Sequence, residues 1–431
     1  MNNLIKNDTR VLIISHNVMA KNTSMGKTIS SYFQSWNKNN IAQLFFHSEI
    51  PTSRCCEKYY RFTDIDALKS VLKRCHHGQV FGQDDIQDLR DDAVEMGKYS
   101  NVYNFGRKRS PLIYLLRDTM WRISSWKSRN LFLWIESFSP NVIFFASGDY
   151  SFSYRITEYI SKKYNIPVIA CCVDDYYLYN ENQKSLLGKI RYKLFMENVK
   201  RCFERAKYIF TISEEMSCEY SKLFGKICPI LYTGARDLSN IEKQKYIHPS
   251  ISYLGGLSLG RYKQLIDIGK SLKSINNPLV PKYLDVYSAE TNPEIIKKMN
   301  ADNGINFHGK VSGDEVLEII VRSTAIVHTE SFDTEIMQRV KYSISTKIPD
   351  SLASGTCILA YGPRGIASID YLYRNNAAMV VENEKDLVVS IKNIFENIEL
   401  REQIEKNAIE LSKKNHSAEK VNDVVKKYIN L

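Results

Sequence analysis

Short β-branched and aromatic runs alternating with longer helical patterns predict an α/β protein of parallel sheets and crossover helices. Length makes it two domains, because 431 residues exceed one ordinary core and roughly 200 residues apiece is the natural division. The alternation also runs twice. In the first half the strand patterns fall at 11–14, 42–46, 142–145, 168–172 and 208–212. A polar, turn-rich stretch opens with Thr233-Gly234-Ala235-Arg236-Asp237 and runs to Ser250, which reads as a linker. The pattern restarts at 252–254 and continues through 284–287, 305–307, 325–328, 358–361 and 378–381. The predicted domains are 1–235 and 251–415, with 416–431 as a final helix. The acidic stretch 84–92 reads as a solvated helix or loop.

Hydrophobic content of 44% with 25% charged residues is that of a soluble globular chain, and no apolar run approaches the roughly 18 residues that cross a bilayer. The polar N-terminus leads straight into a strand, which predicts no signal peptide. Nine cysteines include the pairs Cys55-Cys56 and Cys171-Cys172 but no C-x-x-C, arguing against a zinc site or a disulfide scaffold and for a reducing cytoplasm.

The net charge of +11 asks for an anionic partner. Arg107, Lys108, Arg109, Arg117, Arg122, Lys127 and Arg129 face one acid, Asp118, with Trp121 and Trp126 interleaved and Trp134 beyond. That mixture suits a helix on anionic lipid head groups, at the inner face of a plasma membrane; the alternative is a solvated face with tryptophans in the core. Stretch 184–207 is similarly basic. With no zinc knuckle, RNP-like signature or arginine-rich tail, nucleic acid is not an expected partner.

Three segments of the second half concentrate chemistry. In Ser345-Thr346-Lys347-Ile348-Pro349-Asp350-Ser351-Leu352-Ala353-Ser354-Gly355, Ser345 or Thr346 can cap a helix that tolerates Pro349 in its first turn and ends on a left-handed Gly355. Lys347 adds a charge for phosphate, and Asp350 can accept two ribose hydroxyls. Tyr253-Leu254-Gly255-Gly256-Leu257-Ser258-Leu259-Gly260-Arg261 is a strand, a glycine loop and a helix start; its glycines allow close approach to an anion and Arg261 can fork two phosphate oxygens. His328-Thr329-Glu330-Ser331-Phe332-Asp333 ends another strand with a carboxylate. All three belong at the carboxyl edge of one parallel sheet, where such sheets bind ligands. In the first half, Asp149 and Tyr150, and Asp174, Asp175, Tyr176 and Tyr177, follow strands; acids beside rings suit a sugar, while Asp174 or Asp175 can equally cap a helix. His16 can be a polar cleft residue or a structural one.

This order of motifs, from Gly255 to Gly362, resembles the donor domain of retaining GT-B glycosyltransferases of the large family 4-like group, of the bacterial surface-polysaccharide type. The stretch from Ser15-His16-Asn17 to Ser24-Met25-Gly26-Lys27-Thr28 resembles their acceptor-side loop. The resemblance implies two Rossmann-like domains facing across a cleft. It also implies a donor site of Gly255, Gly256, Arg261, Ser331, Phe332, Lys347 and Asp350, and an acceptor side of His16, Gly26, Asp149, Asp174 and Asp175. Glu330 matches the acid near the sugar ring and Asp350 the acid that bonds the ribose, while Arg261 and Lys347 would neutralise the diphosphate. The spacing between the acids is longer than the family's, with 333–342 inserted, and the second acid is Asp rather than Glu. Asp64-Ile65-Asp66 matches a bare metal motif outside a convincing context, so metal independence is expected. The implied reaction moves a sugar from a nucleotide-diphosphate sugar to a glycan or polyprenyl-linked glycan. A sugar-nucleotide epimerase of the same fold, or a non-catalytic sugar- or nucleic-acid-binding protein, remain the alternatives.

Overall fold

A computed structural model describes residues 9–20, 23–73, 78–82, 110–179, 185–241 and 247–430. The acidic stretch 84–92 and the basic residues Arg107, Lys108 and Arg109 lie outside them. The chain divides into two compact units, 1–231 with 422–431, and 232–421.

The first unit is built on seven strands: β1 (Val11–Ser15), β2 (Ile41–Phe45), β3 (Lys58–Arg61), β4 (Gln79–Gly82), β5 (Val142–Ala146), β6 (Val168–Cys171) and β7 (Ala206–Phe210). Their order is β4-β3-β2-β1-β5-β6-β7. Every residue of β1, β2 and β5 is buried, because helices cover both faces of a parallel sheet. The sequence pattern leaves out β3 and β4. Each has only four residues, and β4 is an antiparallel edge strand with Gln79 and Val80 exposed, so no apolar run marks it and the sheet is not wholly parallel as expected.

The second unit holds β8 (Ile251–Leu254), β9 (Leu284–Tyr287), β10 (Ile305–Gly309), β11 (Ala325–Thr329), β12 (Cys357–Tyr361) and β13 (Met379–Val381), all parallel, in the order β10-β9-β8-β11-β12-β13. Its core gathers Leu265, Ile268 and Leu272 from the helix Arg261–Ser274 against Val286, Val327 and Leu359 from the strands. Both sheets grow outward on one side of their first strand and then return to its other side. This places a topological switch point beyond the ends of β1 and β5 in the first unit, and beyond β8 and β11 in the second.

The tryptophans of 121–134 take the core alternative rather than the interfacial one. Trp121, Trp126 and Trp134 are at most 8% exposed. Trp121 stacks on Phe152 at 3.8 Å and donates its indole N–H to Asp64 at 2.7 Å. Arg117 is bound to Asp64 as well, through Nε at 2.8 Å and Nη2 at 2.7 Å. The Asp-Ile-Asp pattern is thus the start of the helix Asp64–Lys73, with Asp66 accepting from the backbone and hydroxyl of Thr63.

Candidate active site

In the second unit the chain leaves β8 through Gly255 and Gly256 and enters the helix Arg261–Ser274 by way of Gly260, whose φ of 71° is left-handed. A side chain at Gly255 would come within 3.0 Å of the Lys347 Nζ, so the bare glycine is what lets that ammonium lie against the loop. The Tyr253 hydroxyl ties the loop by donating to the Gly256 carbonyl at 2.7 Å. Arg261 projects to the end of β11, where its Nη2 donates to both Glu330 oxygens at 3.0 Å and its Nε to one of them at 3.3 Å. Those bonds occupy the Nε and Nη2 side of the fork and leave Nη1 outside the pair.

Burial pushes the Glu330 carboxyl above its usual range, and the Arg261 and Lys347 charges oppose that. His328, one strand position pair earlier, stays neutral: burial, with Arg261 and Lys347 adding to it, lowers it to about 3. Its Nε2 lies 3.1 Å from the Ser368 hydroxyl and 3.8 Å from Glu330. A cavity is lined by Arg261, His328, Ser345 and Lys347 together with the apolar Leu254, Ile320 and Ile326. Cations at its wall, a neutral imidazole and an apolar lining give it the means to hold a phosphate group beside a planar or aliphatic one.

The helix after Lys347 spans Ile348–Ser354, with Pro349 in its first turn and Gly355 left-handed at φ 67°. Lys347 itself is the N-cap, correcting the expectation of Ser345 or Thr346; Ser345 Oγ instead accepts the Lys347 N–H at 3.4 Å. Seven residues make a weak dipole, so the positive charge here rests on the side chains. The segment read as inserted forms a helix, Thr334–Val340, capped by Asp333.

Asp350 sits elsewhere than a free ribose ligand would. It is 1% exposed and accepts the Arg236 backbone N–H and Nε, each at 2.9 Å, while Arg236 Nη1 donates to the Gly313 carbonyl at 2.9 Å. The same stretch is tied again by His416, whose Nδ1 lies 2.8 Å from the Thr233 carbonyl and whose own carbonyl accepts the Ala235 N–H at 2.8 Å. Arg236 is the residue the sequence reading missed. Its partner is 114 positions away, so no spacing rule reveals it. Ser331 accepts the Asp333 N–H and lies against Gly260 of the loop, and the half-buried Phe332 packs beside Tyr361 at 5.2 Å.

In the first unit His16 follows β1 and Asp149 and Tyr150 follow β5, so the switch point brings them together. The His16 and Tyr150 ring centres are 4.0 Å apart, with Arg117 4.3 Å from the Tyr150 ring. Burial, then the Arg117 charge, keeps His16 neutral, and its buried Nδ1 has no hydrogen-bond partner among the described residues. Asp149 accepts the Tyr114 hydroxyl at 2.5 Å. Asp175 is used up internally: it accepts the N–H groups of Tyr177, Leu178 and Tyr179 and the Tyr220 hydroxyl. Asp174 accepts the Tyr176 hydroxyl at 3.4 Å. Gly26 lies in the helix Ser24–Tyr32, where a Cβ would come 2.5 Å from the Val18 carbonyl.

Residues 284–424 match the sequence family described as Glycosyl transferase-like. No curated protein matches the chain. Among solved structures it is similar to HepE of Anabaena in complex with UDP, at 8% identity and a TM-score of 0.60 over 98% of this chain and 99% of that one. A trehalose-phosphate synthase (UDP-forming) of Burkholderia xenovorans, with glucose-6-phosphate, gives 8% identity and 0.61 over 98% and 100%. The sucrose-phosphate synthase of Thermosynechococcus elongatus gives 10% and 0.57 over 97% and 98%. Two α/β units of this order, with those neighbours across nearly the whole length, make the fold GT-B, and residues 284–424 are the part that matches the glycosyl transferase-like family.

Proposed function

We propose that the protein is a retaining glycosyltransferase that moves a sugar from a nucleotide-diphosphate sugar to a glycan or lipid-linked glycan, in surface polysaccharide synthesis at the inner face of a membrane. The observation that carries the reading is the meeting of Arg261, Glu330 and Lys347 at the switch point of the second unit. The UDP and glucose-6-phosphate in the neighbours' structures support it by analogy of fold.

In this reading the bond from the anomeric carbon to the diphosphate oxygen breaks, and its electron pair leaves with the nucleoside diphosphate. Arg261, through its Nη1 edge, and Lys347 stabilise the negative charge that builds there. The acceptor hydroxyl bonds to the same face of the anomeric carbon, and its proton passes to the departing phosphate. Glu330 holds Arg261 in place, and Asp350 holds Arg236. His16, Asp149 and Asp174 belong to the acceptor side.

Thermal stabilisation by a panel of nucleoside diphosphates and their sugars tests this. A cognate ligand at a hundredfold its dissociation constant adds about 2.7 kcal/mol. Lys347→Ala should weaken that ligand by roughly 1.5–3 kcal/mol. Proton NMR of the product's anomeric centre then reads retention. A panel in which nothing binds or transfers overturns the proposal.

A further inference from the structure

The helix Leu186–Glu204 exposes a row of large apolar side chains on one face, with none of the described residues packed over it. Its buried side, with Arg191, Phe195, Val199 and Cys202, faces the first unit's interior. On the other side Leu186, Leu187, Ile190 and Leu194 are 75%, 46%, 44% and 39% exposed. The spacing 186, 190, 194 puts three of them in one row. Lys189, Lys193, Lys200 and Arg201 are exposed on the same side, against the exposed acids Glu197 and Glu204. The Arg191 guanidinium, 4.2 Å from the Tyr114 ring, joins this helix to Pro111–Ile123, which exposes Leu112, Leu116 and Ile123 beside the exposed Arg122.

Large aliphatic side chains left in water are costly, at about 25 cal/mol per Å² of surface that could be buried. A face that pairs them with more basic than acidic residues fits an anionic lipid surface, where the leucines enter the head-group boundary and the lysines reach the phosphates. We propose that Leu186, Leu187, Ile190 and Leu194, with Lys189 and Lys193, form the surface by which this protein docks on anionic lipid. This sharpens the membrane part of the reading above by moving it from the buried tryptophans to this helix. It stands whether or not sugar transfer is found, because its test reads no nucleotide.

Flotation of the full chain with vesicles of phosphatidylcholine alone, or with phosphatidylglycerol added, decides it. Binding should require phosphatidylglycerol and fall as salt rises. Lys189→Gln with Lys193→Gln should weaken it about thirtyfold, at about one kcal/mol per basic residue. Leu186→Gln, Ile190→Gln and Leu194→Gln together should abolish it with the melting temperature unchanged, since these side chains are already exposed. Wild-type protein that fails to float, or a triple variant that floats as well as wild type, overturns the proposal. So does a concentration-dependent dimer that the triple variant loses, which would assign the face to a second copy.

Discussion

The two switch points share one topology and differ in charge. Beyond β1 and β5 the first unit sets a neutral His16 against Tyr150; of the cations there, Arg117 is neutralised by Asp64, whose side chain is 41% exposed, and Arg191 donates to the Asp149 carbonyl at 2.6 Å. Beyond β8 and β11 the second unit sets Arg261 on a Glu330 that is 4% exposed and brings Lys347 against the glycine loop. The layout of a parallel sheet decides where ligand groups can stand; the residues at those places decide what can bind. Rings and a neutral imidazole suit a hydroxylated, uncharged surface, while two cations around one buried acid suit a phosphate.

Breaking the two arginine pairs gives the largest contrast. Arg261→Ala leaves Glu330 buried without its partner and should cost about 3–5 kcal/mol of stability. Arg117→Ala leaves an acid that water can reach and should cost about 1 kcal/mol, plus the contact with Tyr150. Denaturant midpoints of the two variants measure the difference, and equal losses would erase the contrast. Arg261→Lys should recover little, because an ammonium cannot span both Glu330 oxygens.

A smaller effect concerns the Arg236–Asp350 pair. Asp350→Asn retains the shape but removes one of the two carboxylate oxygens that Arg236 uses, and a double-mutant cycle with Arg236→Ala should show a coupling of about 1–3 kcal/mol. Nucleotide affinity measured on the same four proteins separates anchoring from ribose binding. A loss of affinity in Asp350→Asn that persists when Arg236 is already Ala assigns a direct contact.

A further effect is in pH, and both units share it. His16 is held well below its ordinary value, His328 is lowered to about 3 and His416 to about 4, in each case chiefly by burial. The unfolded chain binds protons at these histidines from about pH 6.5 downward while the folded one does not, so stability should fall as pH drops from 6.5 toward 4. Each group adds up to about 1.4 kcal/mol per pH unit. Glu330, raised by burial, works the other way: its folded form holds a proton that the unfolded form has lost, so its contribution declines as pH rises through the carboxylate range. His328→Gln should flatten the acid side of the curve, and an unchanged slope would mean that this imidazole is not kept neutral.

The strands that position both sites were legible because fully buried parallel strands write themselves as unbroken apolar runs, as in Val11–Ser15 and Cys357–Tyr361. Gly255, Arg261, Glu330 and Lys347 were legible for a related reason: each follows closely on a strand or starts a helix, so local pattern places it at a sheet edge. Local pattern could not tell which acid meets which cation. Glu330 went to Arg261, 69 positions away, and Asp350 to Arg236, because a buried carboxylate needs a charged donor within hydrogen-bond reach and only the packed chain sets those distances. The tryptophans of 121–134 followed the same logic. Their sequence reads equally as an interface or a core, and the strands beneath decided for the core by giving their rings more apolar area to bury against than a surface offers.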